Sequence, residues 1–137
     1  ELSRKYSKAE DYFEIASCAI KLMIEQTGTP VFDSDGMLQK GVIVRHLVLP
    51  NCRKDSISLL HWLKETLPDK HYLISLLSQY TPFYNSHKYP ELNRRITTYE
   101  YESILKEAIS LGLVEGFMQE KSSAKEEYTP PFNLEGL

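Results

Sequence analysis

The chain has 137 residues, of which 42% are hydrophobic and 26% charged, and its formal net charge is −3. These values are typical of a globular domain whose core is large enough to fold without disulfides or metal. Its basic residues are scattered along the sequence, which argues against nucleic acid as the main partner. No apolar run reaches the ~18 residues of a membrane span, and the start has no signal-peptide pattern. We therefore expect a cytoplasmic protein without a membrane partner. Because the chain begins with Glu1 and not with methionine, we also expect a processed or excised fragment.

The first segment predicts a helix near residues 8–27. Ser7 and Glu10 have the spacing of a capping box, in which each side chain satisfies a free backbone amide. Apolar residues then recur at helical spacing as far as Ile24. Gly28 supplies the stop, because glycine adopts the left-handed conformation at low cost.

The two cysteines lie far apart and in unlike surroundings, so they form neither a disulfide framework nor a zinc site. Cys18 lies among apolar residues of the predicted helix, and we expect it to be a small core residue. Cys52 lies in a polar loop after a strand, where we expect an exposed thiol.

Two short apolar runs flank an Asp35-Gly36 turn, which predicts a β-hairpin over residues 31–38. The most apolar stretch of the chain follows and predicts a strand at 42–49, closed by Pro50. Apolar residues occupy both odd and even positions, which face opposite sides of a strand. This strand is therefore expected to be covered on both faces, as in parallel sheets.

The rest of the chain continues the alternation of helices and strands. Asp55 is the expected N-cap of a helix near 56–67, and a second apolar strand is predicted at 72–77. A long polar and aromatic loop follows at 78–96.

A second capping box, formed by Thr97 and Glu100, opens a helix near 98–111. A third strand is predicted at 113–118, and residues 121–137 are expected to form a weakly ordered tail.

Such alternation predicts an α/β fold with parallel strands joined by right-handed crossovers. Three parallel strands with flanking helices are fewer than an independent α/β domain usually contains. We therefore expect residues 1–120 to be half of a TIM-like barrel. Its unpaired sheet edges offer a route to self-association.

Ligands in parallel α/β folds bind beyond the carboxyl ends of the strands. Arg45 is unusual there, because a guanidinium within an apolar strand needs a partner or a wet cavity. Alternation places Arg45 and Leu47 on one face and His46 on the other. Arg45 is thus a candidate anchor for a carboxylate, or else half of an internal salt bridge. His46 is interpreted as a structural histidine that faces the helices.

At the end of the second strand, Gln79 and Tyr80 offer an amide and a phenol to the hydroxyl or amino groups of a small ligand. The alternative is a polar strand end that only closes a loop.

Several segments together resemble the radical SAM proteins that are homologous to pyruvate formate-lyase-activating enzyme. In chain order these are Gly41–Pro50, Asp55-Ser56, Ile74–Pro82, Asn93–Thr97 and Phe117–Glu120. The resemblance implies the C-terminal half of a partial barrel from such an oxidoreductase. Members of the family bind a [4Fe–4S] cluster through CxxxCxxC and use it to cleave S-adenosylmethionine. Activating enzymes then take hydrogen from a glycine of a partner glycyl radical enzyme.

The resemblance also assigns positions to individual residues. Arg45 would face the methionine carboxylate of S-adenosylmethionine or polar groups beside it. Leu47 would pack beside the adenine and offer backbone hydrogen bonds, and Gln79 or Tyr80 would reach toward the ribose.

The chain departs from the family in three respects. It has no CxxxCxxC and no Gly-Gly-Glu segment, and Asn51 stands where related enzymes often have glycine. We therefore expect the chain alone to be inactive and to bind neither cluster nor cofactor. Two alternatives are a non-catalytic nucleotide-binding α/β module and a protein-interaction module that pairs through its sheet edge.

Overall fold

The computed structural model describes residues 1–113. Residues 114–118 of the third predicted strand, the segment Phe117–Glu120 and the predicted tail at 121–137 lie outside the described residues. The described elements are, in chain order, α1 (Leu2–Ser7), α2 (Tyr12–Thr27), β1 (Val31–Phe32), β2 (Leu38–Lys40), β3 (Ile43–Leu47), α3 (Arg53–Thr66), β4 (Leu73–Leu77) and α4 (Thr98–Ser110). Two short 3-10 helices, Tyr84–Lys88 and Pro90–Leu92, lie in the loop between β4 and α4.

The strands β3 and β4 pair in parallel, in a register that runs from Ile43 beside Leu73 to Leu47 beside Leu77. This confirms the α/β class and the parallel pairing of the first two predicted long strands. Within residues 1–113 this sheet has two strands. β4 is covered on both faces, whereas β3 is exposed on one, contrary to our expectation for that strand.

The predicted hairpin is present, with β1 and β2 paired antiparallel. Asp33 organises its turn, because one carboxylate oxygen accepts hydrogen bonds of 2.9 Å from the amides of Asp35 and Met37. Gly36 adopts a φ of 77°, a conformation that suits glycine in a tight turn. The hairpin forms its own small sheet apart from β3 and β4.

The core lies between one face of the parallel sheet and the two helices α3 and α4. Its most buried side chains come from the sheet region and from both helices. They are Val48, Leu60, Leu63, Leu76 and Ile104, each at most 1% exposed. α3 and α4 pack beside each other over this face. This arrangement leaves the opposite face of β3 free of helices in the described part of the chain.

The predicted capping box at Ser7 and Glu10 is wrong. Ser7 is instead the last residue of α1, and Lys8 follows it in the left-handed conformation, with a φ of 54°. α2 begins only at Tyr12 and ends as predicted at Gly28, whose φ is 69°.

The starts of the other two long helices give opposite outcomes. α3 begins at Arg53, so Asp55 lies inside its first turn and is not the N-cap. The second capping box is confirmed, because Thr97 and Glu100 exchange side-chain and backbone hydrogen bonds at the start of α4.

α2 carries apolar residues on two sides, and only one side contacts the core. Ile24 is buried, and Phe13 meets Trp62 of α3 edge to face with ring centroids 5.0 Å apart. The other side is exposed along the helix and includes Tyr12, Ile15, Leu22 and Met23. No helix within residues 1–113 is both long and apolar enough to cross a membrane.

Both cysteine predictions are wrong. Cys18 lies on α2 and is exposed, whereas Cys52 is buried at the start of α3. Helical spacing identifies apolar neighbours, but it does not show which side of the helix meets the core. A polar loop can likewise turn one side chain inward.

Candidate functional site

Arg45 lies on the exposed face of β3, between Ile43 and Leu47. The register places it beside Ser75 of β4. Within residues 1–113 its guanidinium makes no ion pair or hydrogen bond. The described residues therefore give no partner for the salt-bridge alternative, and the cation faces the space in front of the sheet.

The outer edge of β3 carries backbone groups that no described strand uses. The amide of Leu73 donates to the carbonyl of Val42 at 2.9 Å, and the amide of Val48 donates to the carbonyl of Leu77 at 3.0 Å. In a parallel ladder this pattern turns every second residue of β3 toward β4. The N–H and C=O groups of Leu47 consequently point away from β4, toward the open edge.

His46 lies on the opposite face of β3, where its Nε2 is 2.8 Å from the Oγ of Ser56. Ser56 belongs to α3 and is 1% exposed. Burial lowers the pKa of His46, and the negative charge of Asp55 opposes this shift. The prediction of a structural histidine that faces the helices is confirmed.

The two candidates after β4 differ in their surroundings. The phenol of Tyr80 donates a 2.8 Å hydrogen bond to the carbonyl of Leu92, and burial raises the pKa of Tyr80. The Tyr80 phenol is thus bonded within the loop that follows β4. Gln79 is half-buried, and its side chain makes no hydrogen bond within the described residues. Of the pair, Gln79 is the one with free polar atoms.

A cleft of about 1000 Å³ lies beyond the carboxyl end of β3. It is bounded by α1 and by the first turns of α3 and α4, and Lys5, Asn51, Cys52, Arg53, Glu91 and Glu100 are among its lining residues. None of the site residues predicted from the sequence (Arg45, Leu47, Gln79 and Tyr80) is among the described residues that line this cleft, and the sequence did not predict α1 as one of its walls.

Glu91 joins α1 to the loop before α4. Its Oε1 accepts hydrogen bonds from Lys5 Nζ at 2.6 Å and from the Tyr6 phenol at 2.8 Å. The bond from Lys5, the largest cause, lowers the pKa of Glu91 to about 2. The Tyr6 ring also packs edge to face on Tyr89, with centroids 4.9 Å apart. These contacts attach the N-terminal helix to one side of the cleft.

Glu100 is buried, at 8% exposure, and accepts more hydrogen bonds than any other carboxylate in the described structure. Arg94 grips it with two hydrogen bonds of 2.8 and 2.9 Å. It also accepts hydrogen bonds from the Thr97 amide at 2.8 Å and from the Asn51 amide at 2.7 Å. These donors, Arg94 first, lower the pKa of Glu100 to about 2 against the opposing effect of burial. The sequence identified the capping role, but not the bond to Asn51.

The proteins that the sequence resembles bind a [4Fe–4S] cluster. Within residues 1–113 no three His, Cys, Asp or Glu side chains are grouped so as to hold a metal ion. Cys18 is exposed on α2, whereas Cys52 is buried and lies directly before α3. These two thiols do not fit a cluster site.

Comparisons with known proteins find similarity to an uncharacterized protein. No family model matches the chain, and no solved structure matches it. The chain is similar to the uncharacterized protein MJ0674 of Methanocaldococcus jannaschii, with 30% identity over 108 residues. That alignment covers 77% of this chain and 27% of the relative, so the chain spans about a quarter of the length of the curated relative it matches.

Proposed function

We propose that this chain is the C-terminal half of a radical SAM enzyme similar to pyruvate formate-lyase-activating enzyme. The observation that carries the proposal is the position of Arg45, an exposed cation on the helix-free face of β3 with no partner within residues 1–113. In the parent enzyme it binds the methionine carboxylate of S-adenosylmethionine or polar groups beside it. The hydrogen donor is a glycyl radical enzyme or another protein substrate.

Two surfaces support a partial barrel that continues beyond the described residues. At the outer edge of β3, the backbone groups of Ile43 and Arg45 are unpaired within the described residues, and a neighbouring strand that stops short of Leu47 would satisfy them. The exposed side of α2 carries Ile15 and Leu22 at 68% and 51% exposure, and a neighbouring helix would cover them. The relative has most of its length outside the matched region, which provides a precedent for additional chain.

Three features of the face around Arg45 support the proposal that it binds S-adenosylmethionine. A planar guanidinium suits a carboxylate because two parallel N–H groups can bind its two oxygens. The backbone groups of Leu47 are available for the adenine edge, and Gln79 has free polar atoms for the ribose. The bound cofactor, with a cluster held elsewhere in the parent, supplies the hydrogen-abstracting chemistry, while these residues bind and orient it.

A non-catalytic interaction module is the second candidate. It is favoured by the same open edge of β3, because exposed strand edges readily pair with another chain. A nucleotide-binding module without catalysis would use the Arg45 face in the same way but would not consume S-adenosylmethionine.

The full-length protein encoded by the reading frame of this chain tests the proposal. It is purified without oxygen, reconstituted with iron and sulfide, and supplied with S-adenosylmethionine and a reductant. We expect cluster absorbance and 5′-deoxyadenosine from the full-length protein. The 137-residue chain, treated identically, should give neither, because its two cysteines are too few. A full-length protein that forms no cluster would overturn the proposal, and binding of S-adenosylmethionine without turnover would favour the nucleotide-binding module.

A further inference from the structure

The turn that joins β3 to α3 contains a strained residue. Asn51 has a φ of 63°, in the left-handed region that residues other than glycine seldom adopt. Asparagine tolerates this region better than most residues, but the conformation still needs support. Asn51 lies four residues after Leu47, in the turn that follows the strand with the proposed cofactor site.

Support for the turn comes from across the cleft. The amide of Asn51 donates a 2.7 Å hydrogen bond to Oε1 of Glu100, a residue 49 positions later in the chain. The carboxylate is itself fixed, because Arg94 binds both of its oxygens and the Thr97 amide binds Oε2. Asn51 is therefore held by a rigid and fully charged acceptor.

Helix capping does not require this contact. The capping box of α4 needs only the exchange between Thr97 and Glu100. The second oxygen could face solvent in the cleft that Glu100 lines. Instead it is directed at the one left-handed residue of the β3–α3 turn. The carboxylate thus connects the start of α4 to the carboxyl end of β3.

We propose that Glu100 is a positioning residue for the cofactor site: by holding Asn51, it fixes the β3–α3 turn and with it the placement of Leu47 at the end of β3. This inference rests on the proposed function. It assigns Glu100 no contact with the reacting atoms. Its influence is transmitted through the backbone of the turn.

Asn51 provides the specific test, because glycine adopts a positive φ without support. In the full-length protein, Glu100→Ala should weaken S-adenosylmethionine binding by about tenfold, the scale of one lost charge-assisted hydrogen bond. Adding Asn51→Gly should restore the affinity to within about threefold of wild type. It should not restore the melting temperature, since the bonds of Glu100 to Arg94 and Thr97 remain lost.

Thr97→Ala is the matched control. It removes the capping hydroxyl but leaves the hydrogen bonds of Glu100 to Asn51 and Arg94. It should therefore lower the melting temperature without weakening S-adenosylmethionine binding. If Glu100→Ala does not fold, Asn51→Ala decides the matter, because it strains the turn and should weaken binding while Asn51→Gly does not.

The outcomes separate the two proposals. Wild-type protein that does not bind S-adenosylmethionine would overturn the proposed function, and this inference with it. Wild-type protein that binds, together with unchanged affinity in Glu100→Ala or no recovery on adding Asn51→Gly, would overturn the positioning role alone.

Discussion

The imidazole of His46 and the hydroxyl of Ser56 lie 2.8 Å apart and join β3 to α3 at the edge of the core. Burial is the main reason that the pKa of His46 is lowered, so the folded protein favours the neutral ring. The unfolded chain, with a histidine pKa of about 6.5, binds this proton more readily. Stability should therefore decrease as the pH falls below about 6.5, by at most ~1.4 kcal/mol per pH unit from this group.

Urea unfolding at pH 7.5, 6 and 5 measures this dependence. The variant His46→Gln should be less stable at pH 7.5 and should lose less stability than wild type on acidification. His87→Gln, at an exposed position, serves as the control for the replacement of a histidine by glutamine. An unchanged pH dependence in His46→Gln would show that another group is responsible.

The two thiols should react at very different rates. In the native chain, Cys18 is exposed and should react at once with a chromogenic disulfide reagent, whereas buried Cys52 should be slower by about a hundredfold or more, because it must wait for unfolding. Burial also raises the pKa of Cys52, which reduces its thiolate fraction. Cys18→Ser should remove the fast phase and Cys52→Ser the slow one.

The same reaction reports on the proposed barrel. Cys18 lies on the same helix as Ile15 and Leu22, three residues after Ile15 and four residues before Leu22. Side chains at these spacings lie on the same side of a helix. If the rest of the polypeptide covers that side, Cys18 should become slow in the full-length protein. Equal rates in the two proteins would contradict a helix packed there.

Tyr72 offers a test of buried polar groups. Its ring is 7% exposed, and its hydroxyl has no hydrogen-bond partner within residues 1–113. Burial raises the pKa of Tyr72 to about 12. Tyr72→Phe removes an unsatisfied group while keeping the packing, so we expect unchanged stability or a gain of up to about 1 kcal/mol. As a contrast, Tyr80→Phe removes a satisfied hydroxyl and should cost about 1 kcal/mol in the same denaturant titration. A loss in Tyr72→Phe comparable to that in Tyr80→Phe would mean that the Tyr72 hydroxyl is bonded.

Arg45 is tested by cofactor titration of the full-length protein. Arg45→Ala should weaken S-adenosylmethionine binding by about 1.5–3 kcal/mol, or roughly one to two powers of ten. Arg45→Lys should recover only part of this, because an ammonium cannot reproduce the fork of a guanidinium. Since the side chain is exposed and unpaired within the described residues, neither change should lower the melting temperature. Unchanged affinity with a lowered melting temperature would instead indicate a structural salt bridge.

Local sequence determined the elements whose causes are local. The hairpin follows from Asp35-Gly36, the start of α4 from the spacing of Thr97 and Glu100, and the opposite faces of Arg45 and His46 from the two-residue period of a strand. The parallel pairing of β3 and β4 was also predictable, because a helix joins two apolar strands and crossovers of this kind bring them side by side.

Tertiary structure decided which side of each element is covered. Cys18 and Cys52 exchange their expected environments, because burial depends on what packs against a residue as well as on its neighbours in sequence. The bond between Glu100 and Asn51 spans 49 positions and has no local pattern. It exists because folding brings the start of α4 against the end of β3, where a fixed carboxylate can support a left-handed turn.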